Sequence, residues 1–469
     1  MSDEKDISKV LNRTNFQQPT RYPERVLLFG GGNFMRAFAA WMISEMNEKA
    51  GFAGEITVVK PTPGGVYPEL KAQDGLYHVW TRGLQSGQVI DEFQLISCVR
   101  RSVAPYENWD AFLATAELPA MRFIISNTTE AGIVFDPDDV WSEANCPSSF
   151  PAKLTRWLYH RYQFFGGSAG SGCIILPCEL IEKNGQVLLQ CVQSYIQHWQ
   201  LPVKFADWVA NANTFADTLV DRIVPGFPKN QEIPLSVQDD LVVCAEPYHL
   251  WAIQAAETVS EVFPAQKAGL NVVWTTDLDQ FRTLKVRILN GLHTIMTPVA
   301  YLSGMRTVGE TLQNEALKAY LQQVLAQEIV PTLPFPEEVS LQYAATVWER
   351  FENPFVQHRL ADIALNSISK FRARVLPSLL TYMAAKGEVP IGICRAFAAM
   401  LIWYSGSWKG ESLPVRDNAA VVSDMQQYWQ HPETLVGRVL GREDWWGQDL
   451  RTLPGLEQTI NQRIRDWNK

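Results

Sequence analysis

The feature that most constrains the fold lies near the N-terminus, where a short apolar run leads into a glycine-rich turn and then into an apolar helical pattern. Residues 25–29, Arg-Val-Leu-Leu-Phe, are typical of a buried strand, and Gly30, Gly31 and Gly32 follow directly. A strand, a glycine turn and a helix open the dinucleotide-binding folds, in which the turn and the helix N-terminus bind a pyrophosphate. Gly30 would permit the tight turn, and Gly32 would let backbone N–H groups approach the phosphates.

The predicted cofactor site departs from the usual fingerprint at one position. Met35 stands where the third glycine is expected, so a plain glycine-rich turn before a helix is the alternative. A second strand is predicted at residues 55–59, and Lys60 follows it where an acidic residue normally binds the ribose hydroxyls. Lys60 has no carboxylate to repel a 2′-phosphate. These residues therefore leave the choice between NAD and NADP open.

Two hydrophobic patterns divide the chain. Up to about residue 275, short apolar runs alternate with helical patterns, which predicts an α/β domain with a Rossmann-like, mostly parallel sheet. From residue 280 the pattern has helical periodicity, as in residues 312–329. We therefore predict a dinucleotide-binding domain over residues 1–279 and an all-helical substrate domain over residues 280–469. The other strands predicted in the first domain are residues 121–125, 172–176, 240–244 and 270–274.

A second candidate site opens the helical domain, in the segment Lys285-Val-Arg-Ile-Leu-Asn290-Gly-Leu-His293. Asn290 and His293 would lie about 140° and about 80° around an α-helix from Lys285, within an apolar stripe. Partial burial disfavours the charged form of a lysine, which suits it to exchange a proton near neutral pH. The alternative is an amphipathic helix whose lysine extends to solvent and whose amide and imidazole make structural hydrogen bonds.

Composition and charge argue against several classes of function. The 469 residues carry a formal net charge of −9 without a basic run, so no nucleic-acid partner is expected. No segment approaches the roughly 18 apolar residues of a membrane span, and the N-terminus lacks a signal-peptide pattern, so we expect a cytoplasmic chain without a membrane partner. The seven cysteines and seven histidines show neither Cys-x-x-Cys nor His-x-x-x-His pairs, and no metal site is expected.

The spacing of Lys285, Asn290 and His293 matches the signature of the mannitol dehydrogenase family of polyol-specific long-chain dehydrogenases, and the chain resembles this family over nearly its whole length. Further segments match in family order: residues 30–37, 73–77, 129–132, 184–185, 220–223, 246–247 and 350–354. The segments most similar to the members that interconvert D-tagaturonate and D-altronate are residues 32–38, 126–133, 177–181 and 288–294.

The resemblance implies a role for each candidate residue. A nicotinamide would exchange hydride with a keto carbon, while Lys285 exchanges the proton, Asn290 stabilises the oxygen and His293 orients lysine or substrate. The implied cofactor-binding residues are Gly30, Gly31, Gly32, Asn33, Phe34, Arg36, Lys60 and Thr129. The implied substrate-binding residues are His358, Lys370 and Glu179, and the two cations suit a sugar acid unless they are solvated surface charges.

Three positions depart from the family pattern. Leu180 follows Glu179 where mannitol dehydrogenases carry an amide, so polyol oxidation is less expected. Arg282 replaces a glutamate of their proton path, and Leu292 places a bulkier group on the helix of Lys285. We expect an oxidoreductase that uses NAD, with NADP as the weaker alternative, to interconvert D-tagaturonate and D-altronate. Fructuronate or mannitol oxidoreduction and a catalytically silent NAD-binding sensor are the alternatives.

Overall fold

The computed structural model describes residues 10–16, 20–128, 131–229 and 231–467, and the chain forms two compact units. Unit 1 consists of Met1–Arg82 and Val89–Leu278, and unit 2 of Gly83–Gln88 and Asp279–Lys469. The short segment Gly83–Gln88 thus groups with the helical unit, although it lies in the N-terminal part of the sequence.

The strands of the N-terminal region form one large sheet and two small ones. They are β1 (Glu24–Phe29), β2 (Glu55–Val59), β3 (Tyr77–Gln85), β4 (Gln88–Ile96), β5 (Val99–Val103), β6 (Phe123–Ser126), β7 (Ile174–Pro177), β8 (Thr214–Phe215), β9 (Asp217–Asp221), β10 (Val243–Ala245), β11 (Leu250–Gln254) and β12 (Val272–Thr275). The large sheet is parallel and has the order β5-β2-β1-β6-β7-β8. The small sheets are β10-β3-β4 and β12-β11-β9, and β9 pairs with β11 in antiparallel fashion.

The strand order reverses between β1 and β6, and open parallel sheets bind ligands at such a reversal, beyond the carboxyl ends of the strands. The prediction of a Rossmann-like, mostly parallel sheet is therefore confirmed. The strands predicted at residues 25–29 and 55–59 coincide with β1 and β2, whereas the other four begin two or three residues later than predicted.

Strand β1 is a continuous apolar run because its side chains pack into hydrophobic clusters on both faces of the sheet. Val26 and Leu28 pack into one hydrophobic cluster, whereas Leu27 and Phe29 pack into another. Successive side chains of a strand point to opposite faces of its sheet, so a strand that is covered on both faces needs apolar residues at every position. All four side chains are buried, and the carboxyl end of β1 is fixed between two cores.

The helices of unit 1 cover the large sheet or connect its strands. They are Asn33–Met35, Trp41–Lys49, Pro68–Ala72, Trp109–Leu113, Phe150–Phe164, Asn184–His198, Val203–Ala212 and Thr258–Val262, with 3₁₀ turns at Ala114–Glu117, Ala169–Ser171 and Gln266–Ala268. A π-helical segment, Arg36–Ala40, joins the first two helices, so residues 33–49 form one helical run directly after the glycine turn.

Unit 2 is built from helices, as predicted, with one small hairpin. The helical segments are Asp279–Leu284, the π-helix Lys285–Asn290, Gly291–Leu302, Val308–Gln313, Glu315–Val324, the π-helix Leu325–Ile329, Val330–Thr332, Glu337–Phe351, Leu360–Ile363, Ser367–Arg374, Leu376–Lys386, Ile391–Trp403, Ala419–Trp429, Leu435–Leu440, Glu443–Trp446, Leu450–Thr452 and Leu456–Trp467. The hairpin consists of β13 (Ser407–Trp408) and β14 (Glu411–Ser412).

The core of unit 2 surrounds Ile391–Trp403, a helix whose residues from Ala396 to its end are all buried. The helical segment predicted at residues 312–329 is helical, with an interruption at Asn314. The side chain of Asn314 accepts a hydrogen bond from the N–H of Leu317 and caps a new helix, because asparagine favours an N-cap over a helix interior. Over the described ranges, no helix has the length and hydropathy needed to cross a bilayer.

Candidate active site

The turn after β1 has the backbone that the glycine prediction requires. Gly30 has a φ of +104°, and its N–H donates to the carbonyl of Val59 at the end of β2. A Cβ atom at Gly30 would lie 3.1 Å from the carbonyl oxygen of Asn127, which follows β6. Both the left-handed conformation and this close approach favour glycine. The turn therefore lies at the strand reversal where a ligand is expected.

Gly32 provides the space that a phosphate needs. It is the N-cap of the helical run with an ordinary φ of −67°, and a Cβ atom placed on it would meet nothing within 4 Å. The backbone N–H groups of a first helical turn have no partners within the helix and carry partial positive charge. Open space before such an N-terminus fits the pyrophosphate of a dinucleotide.

Gly31 and Lys60 face the loop that follows β2. The N–H of Gly31 donates a hydrogen bond of 2.9 Å to the hydroxyl of Tyr67. The ammonium of Lys60 donates to the carbonyl of Gly64 at 2.8 Å and lies 5.8 Å from the centre of the Tyr67 ring. Lys60 thus lies at the carboxyl end of β2, where it was predicted to influence the choice of cofactor.

The side chains of Asn33, Phe34 and Arg36, which follow the glycines, contact other residues of unit 1. Arg36 is buried, donates to the carbonyl of Leu241 and to Oδ1 of Asn33 at 2.7 Å, and lies over the ring of Tyr77. The guanidinium of Arg36 therefore fixes the side chain of Asn33 by a hydrogen bond. Phe34 stacks on the ring of Phe38 at 4.8 Å. The predicted Thr129 lies outside the described residues.

Glu179, predicted to bind substrate, lies in unit 1 and has protein partners. Its carboxylate accepts hydrogen bonds from the hydroxyl of Ser126 and from the N–H and hydroxyl of Thr128, at 2.9 to 3.0 Å. Burial raises the pKa of this carboxyl, against the lowering effect of these hydrogen bonds. These contacts give Glu179 a positioning role at the carboxyl ends of β6 and β7. Its neighbour Leu180 is exposed.

In unit 2, Lys285 and Asn290 are the first and last residues of a π-helix. A π-helix bonds each residue to the fifth along the chain, so residues five apart lie about one turn from each other. The separation of about 140° expected for an α-helix is therefore wrong, because the wider turn brings Asn290 closer to the face of Lys285. Arg282, one turn earlier, pairs with Asp279 at 2.6 Å. Leu292 is fully buried in the core of unit 2.

His293 is buried and has an unsatisfied ring nitrogen. Among the residues that the structure describes, none is a hydrogen-bond partner of its Nε2, and the ring packs 4.4 Å from Phe351 and 4.9 Å from His358, measured between centroids. Burial, and then the positively charged or ionisable neighbours His358, Arg350, Arg374 and Lys370, hold the pKa of His293 well below its usual range. The imidazole is therefore neutral at physiological pH.

The structure places Lys370 and a residue not predicted, Arg374, near His293. They lie four residues apart on the helix Ser367–Arg374, and burial lowers the pKa of both. Lys370 donates to the carbonyl of Ile363 at 2.9 Å, and Arg374 donates to the hydroxyl of Thr294 at 3.4 Å. That hydroxyl donates in turn to the carbonyl of Asn290, which links Arg374 to the π-helix.

Two like charges at a spacing of four residues repel each other on a helix. Burial also lowers the pKa of His358. The residues around His293 therefore combine neutral imidazoles with cations. Among the residues that the structure describes, no group of three or more His, Cys, Asp and Glu side chains is placed to hold a metal ion.

Models of known families match both parts of the chain. The mannitol dehydrogenase Rossmann domain matches residues 24–265, and the mannitol dehydrogenase C-terminal domain matches residues 277–467. The chain belongs to the mannitol dehydrogenase family. It is thus an oxidoreductase that acts on CH–OH groups, and the resemblance inferred from its motifs is confirmed.

Curated relatives include proteins named altronate oxidoreductase. That of Yersinia enterocolitica is 40% identical over 470 residues, with 97% of each chain covered. That of Phocaeicola vulgatus is 42% identical over 460 residues, with 96% of each chain covered. These matches span almost the full length of both proteins.

Solved structures share the fold at lower identity. Mannitol 2-dehydrogenase of Pseudomonas fluorescens, in a ternary complex with NAD and D-mannitol, aligns with a TM-score of 0.67 at 20% identity over 98% of this chain and 97% of that one. A substrate-free D-sorbitol dehydrogenase aligns with a TM-score of 0.77 at 21% identity, covering 97% and 98%. Both alignments extend over the Rossmann-like and the helical units.

Proposed function

We propose that the protein interconverts D-tagaturonate and D-altronate with NAD as the hydride carrier. The choice of a sugar acid is supported by the site around His293, where a buried ring nitrogen has no hydrogen-bond partner among the described residues and lies near cationic side chains. A buried polar atom without a hydrogen bond costs about 1–3 kcal/mol, and a substrate hydroxyl would relieve this cost. The relatives named altronate oxidoreductase support the same substrate class.

Lys285 exchanges the proton in this proposal. The bound nicotinamide supplies or accepts the hydride at the carbon that is interconverted between ketone and alcohol. During reduction, the ammonium of Lys285 donates a proton to the oxygen of the keto group; during oxidation, the neutral amine accepts the proton from the alcohol. The amide of Asn290, one π-turn away, donates a hydrogen bond to the same oxygen and stabilises its developing negative charge.

The cations near His293 bind the carboxylate of the sugar acid. Lys370 and Arg374 each present a charge whose described hydrogen bonds go only to a neutral carbonyl or hydroxyl. A carboxylate would give both of them a charge-assisted hydrogen bond and reduce their mutual repulsion. Neutral His293 and His358 can each donate or accept a hydrogen bond, so they suit the hydroxyl groups of the sugar. This division of roles makes the site specific for acids over ketohexoses.

The turn after β1 binds the cofactor in this proposal. Gly30 forms the turn, the backbone groups of Gly31, Gly32, Asn33 and Phe34 would hold the pyrophosphate, and Lys60 would contact the adenosine ribose. The absence of an acidic residue at Lys60 permits slow use of NADP. Arg36, through Asn33, and Thr129 complete the proposed cofactor-binding set. Glu179, proposed to bind substrate, would act through Thr128.

The proposal is tested by following NADH absorbance with a panel of keto-hexuronates and ketohexoses. We expect D-tagaturonate to be reduced with the highest kcat/KM, D-fructuronate more slowly, and D-fructose scarcely at all. Reverse assays with D-altronate and NAD⁺ provide the matched check. Preferred reduction of D-fructose would contradict the role of the cations. Binding of NADH without turnover of any member of the panel would favour a sensor.

A further inference from the structure

The hydroxyl of Tyr67 accepts a hydrogen bond from a backbone N–H group of the glycine turn. It accepts the N–H of Gly31 at 2.9 Å, and the residues are 36 positions apart in the sequence. The backbone N–H groups of this turn are the groups that approach a pyrophosphate in a dinucleotide-binding fold. The phenol oxygen of Tyr67 is therefore hydrogen-bonded to an N–H group that a phosphate would otherwise approach.

The ring of Tyr67 also lies directly against the turn. A Cβ atom on Gly31 would be 2.7 Å from Cε2 of Tyr67 and 3.1 Å from two further ring atoms. Gly31 has no left-handed φ, so its lack of a side chain is explained by the ring that covers it rather than by backbone conformation. Gly32, in contrast, faces open space. The turn is thus covered on one side and open on the other.

The loop that carries Tyr67 has the features of a movable segment. Gly64 and Gly65 have φ values of +97° and +77°, and Tyr67 follows two residues later at the start of the helix Pro68–Ala72. The loop is held by the hydrogen bond from Lys60 to the carbonyl of Gly64, at 2.8 Å, and by the contact between Tyr67 and Gly31. Tyr67 is partly buried and packs against the hydrophobic cluster that contains Leu70, so its ring is anchored, whereas the consecutive glycines before it can absorb a change of backbone angles.

We propose that Tyr67 closes the glycine turn in the free protein, and that a nicotinamide dinucleotide must displace the Tyr67 hydroxyl from the N–H of Gly31 in order to bind. This proposal rests on the proposed function, because it requires that the turn binds a dinucleotide. A phosphate oxygen is the stronger acceptor because it is charged, and hydrogen bonds to ionised acceptors are roughly twice as strong as neutral ones. Displacement is therefore favourable overall, but the closed state lowers the fraction of protein ready to bind.

The test is Tyr67→Phe, which removes the hydroxyl and keeps the ring. A neutral hydrogen bond contributes about 0.5–1.5 kcal/mol, so the variant should bind NADH about 2- to 12-fold more tightly. The gain should arise in the association rate and leave the dissociation rate nearly unchanged, because only the free protein is altered. Stopped-flow fluorescence of NADH measures both rates, and Tyr67→Leu should change the association rate in the same direction.

Tyr106→Phe is the matched control, because this hydroxyl lies in the same unit and donates to the carbonyl of Ser148 instead. It should leave both rates unchanged. The proposal would be overturned if folded Tyr67→Phe bound NADH no more tightly than the wild-type protein, provided that the wild-type protein binds NADH. Weaker binding by the variant would show that the hydroxyl contacts the cofactor. Failure of the wild-type protein to bind NADH or NADPH would instead overturn the proposed function.

Discussion

Replacement of Lys370 by methionine tests whether the cations near His293 recognise a carboxylate. Methionine keeps most of the apolar stem and removes the charge. Hydrogen bonds to charged groups contribute about 1.5–3 kcal/mol, and because Lys370 is half-buried we take the lower value. Since about 1.4 kcal/mol corresponds to a factor of ten, KM for D-tagaturonate should rise about tenfold. A contact made equally in ground and transition states should leave kcat nearly unchanged.

The assay compares KM for D-tagaturonate with the inhibition constant of an uncharged polyol of the same size that competes with it. The polyol should inhibit Lys370→Met and the wild-type protein equally, because it has no carboxylate. Lys386→Met, at an exposed position on the next helix, is the control and should change neither constant. An equal loss of affinity for acid and polyol, or a fall in kcat at constant KM, would refute carboxylate recognition by Lys370.

Three further predictions concern the cofactor site and pH. The Gly32→Asp variant should fold normally, since aspartate is a favoured N-cap residue and its Cβ would meet no atom within 4 Å. Calorimetry should nevertheless detect no NADH binding, because the carboxylate would repel the pyrophosphate. NADPH should be used detectably but with a lower kcat/KM than NADH, and complete rejection of NADPH would show that Lys60 does not reach the 2′ position. Burial, and then Arg222, lowers the pKa of His249 from 6.5 to about 4. The unfolded chain therefore binds this proton at a higher pH than the folded protein does. The folded protein loses stability as the pH falls from about 6.5 towards 4. Between pH 7 and 5 this loss should be about 2 kcal/mol in urea titrations, and His249→Gln should show a correspondingly smaller decline.

The parts of the fold that could be predicted depend on short stretches of sequence. Strand β1 and the turn at Gly30 could be recognised because a strand buried on both faces is apolar throughout and a left-handed turn needs glycine. The change from strand patterns to helical patterns near residue 280 likewise follows from local periodicity. These features require no knowledge of distant contacts.

The contacts that define the candidate site join distant residues, which explains why sequence patterns did not show them. Arg36 was predicted to bind cofactor, but the carbonyl of Leu241, 205 residues away, accepts one of its hydrogen bonds. Tyr67 reaches Gly31 over 36 residues without a motif that marks the contact. The π-helix at Lys285–Asn290 was missed because the angles were calculated with the period of an α-helix, whereas a π-helix has a wider turn. Arg374 likewise approaches Thr294 across 80 residues, and no motif marks that contact.

The most direct test of the central claim is the activity of Lys285→Ala, because proton exchange by Lys285 distinguishes an oxidoreductase site from a structural helix. Loss of a general acid typically lowers the rate by about 10²- to 10⁴-fold. We expect the reduction of D-tagaturonate to fall by this factor, NADH affinity to stay close to that of the wild-type protein, and the pH profile of kcat/KM to lose one limb. Wild-type kcat with an unchanged pH profile would contradict the mechanism and leave Lys285 as a lysine that extends to solvent.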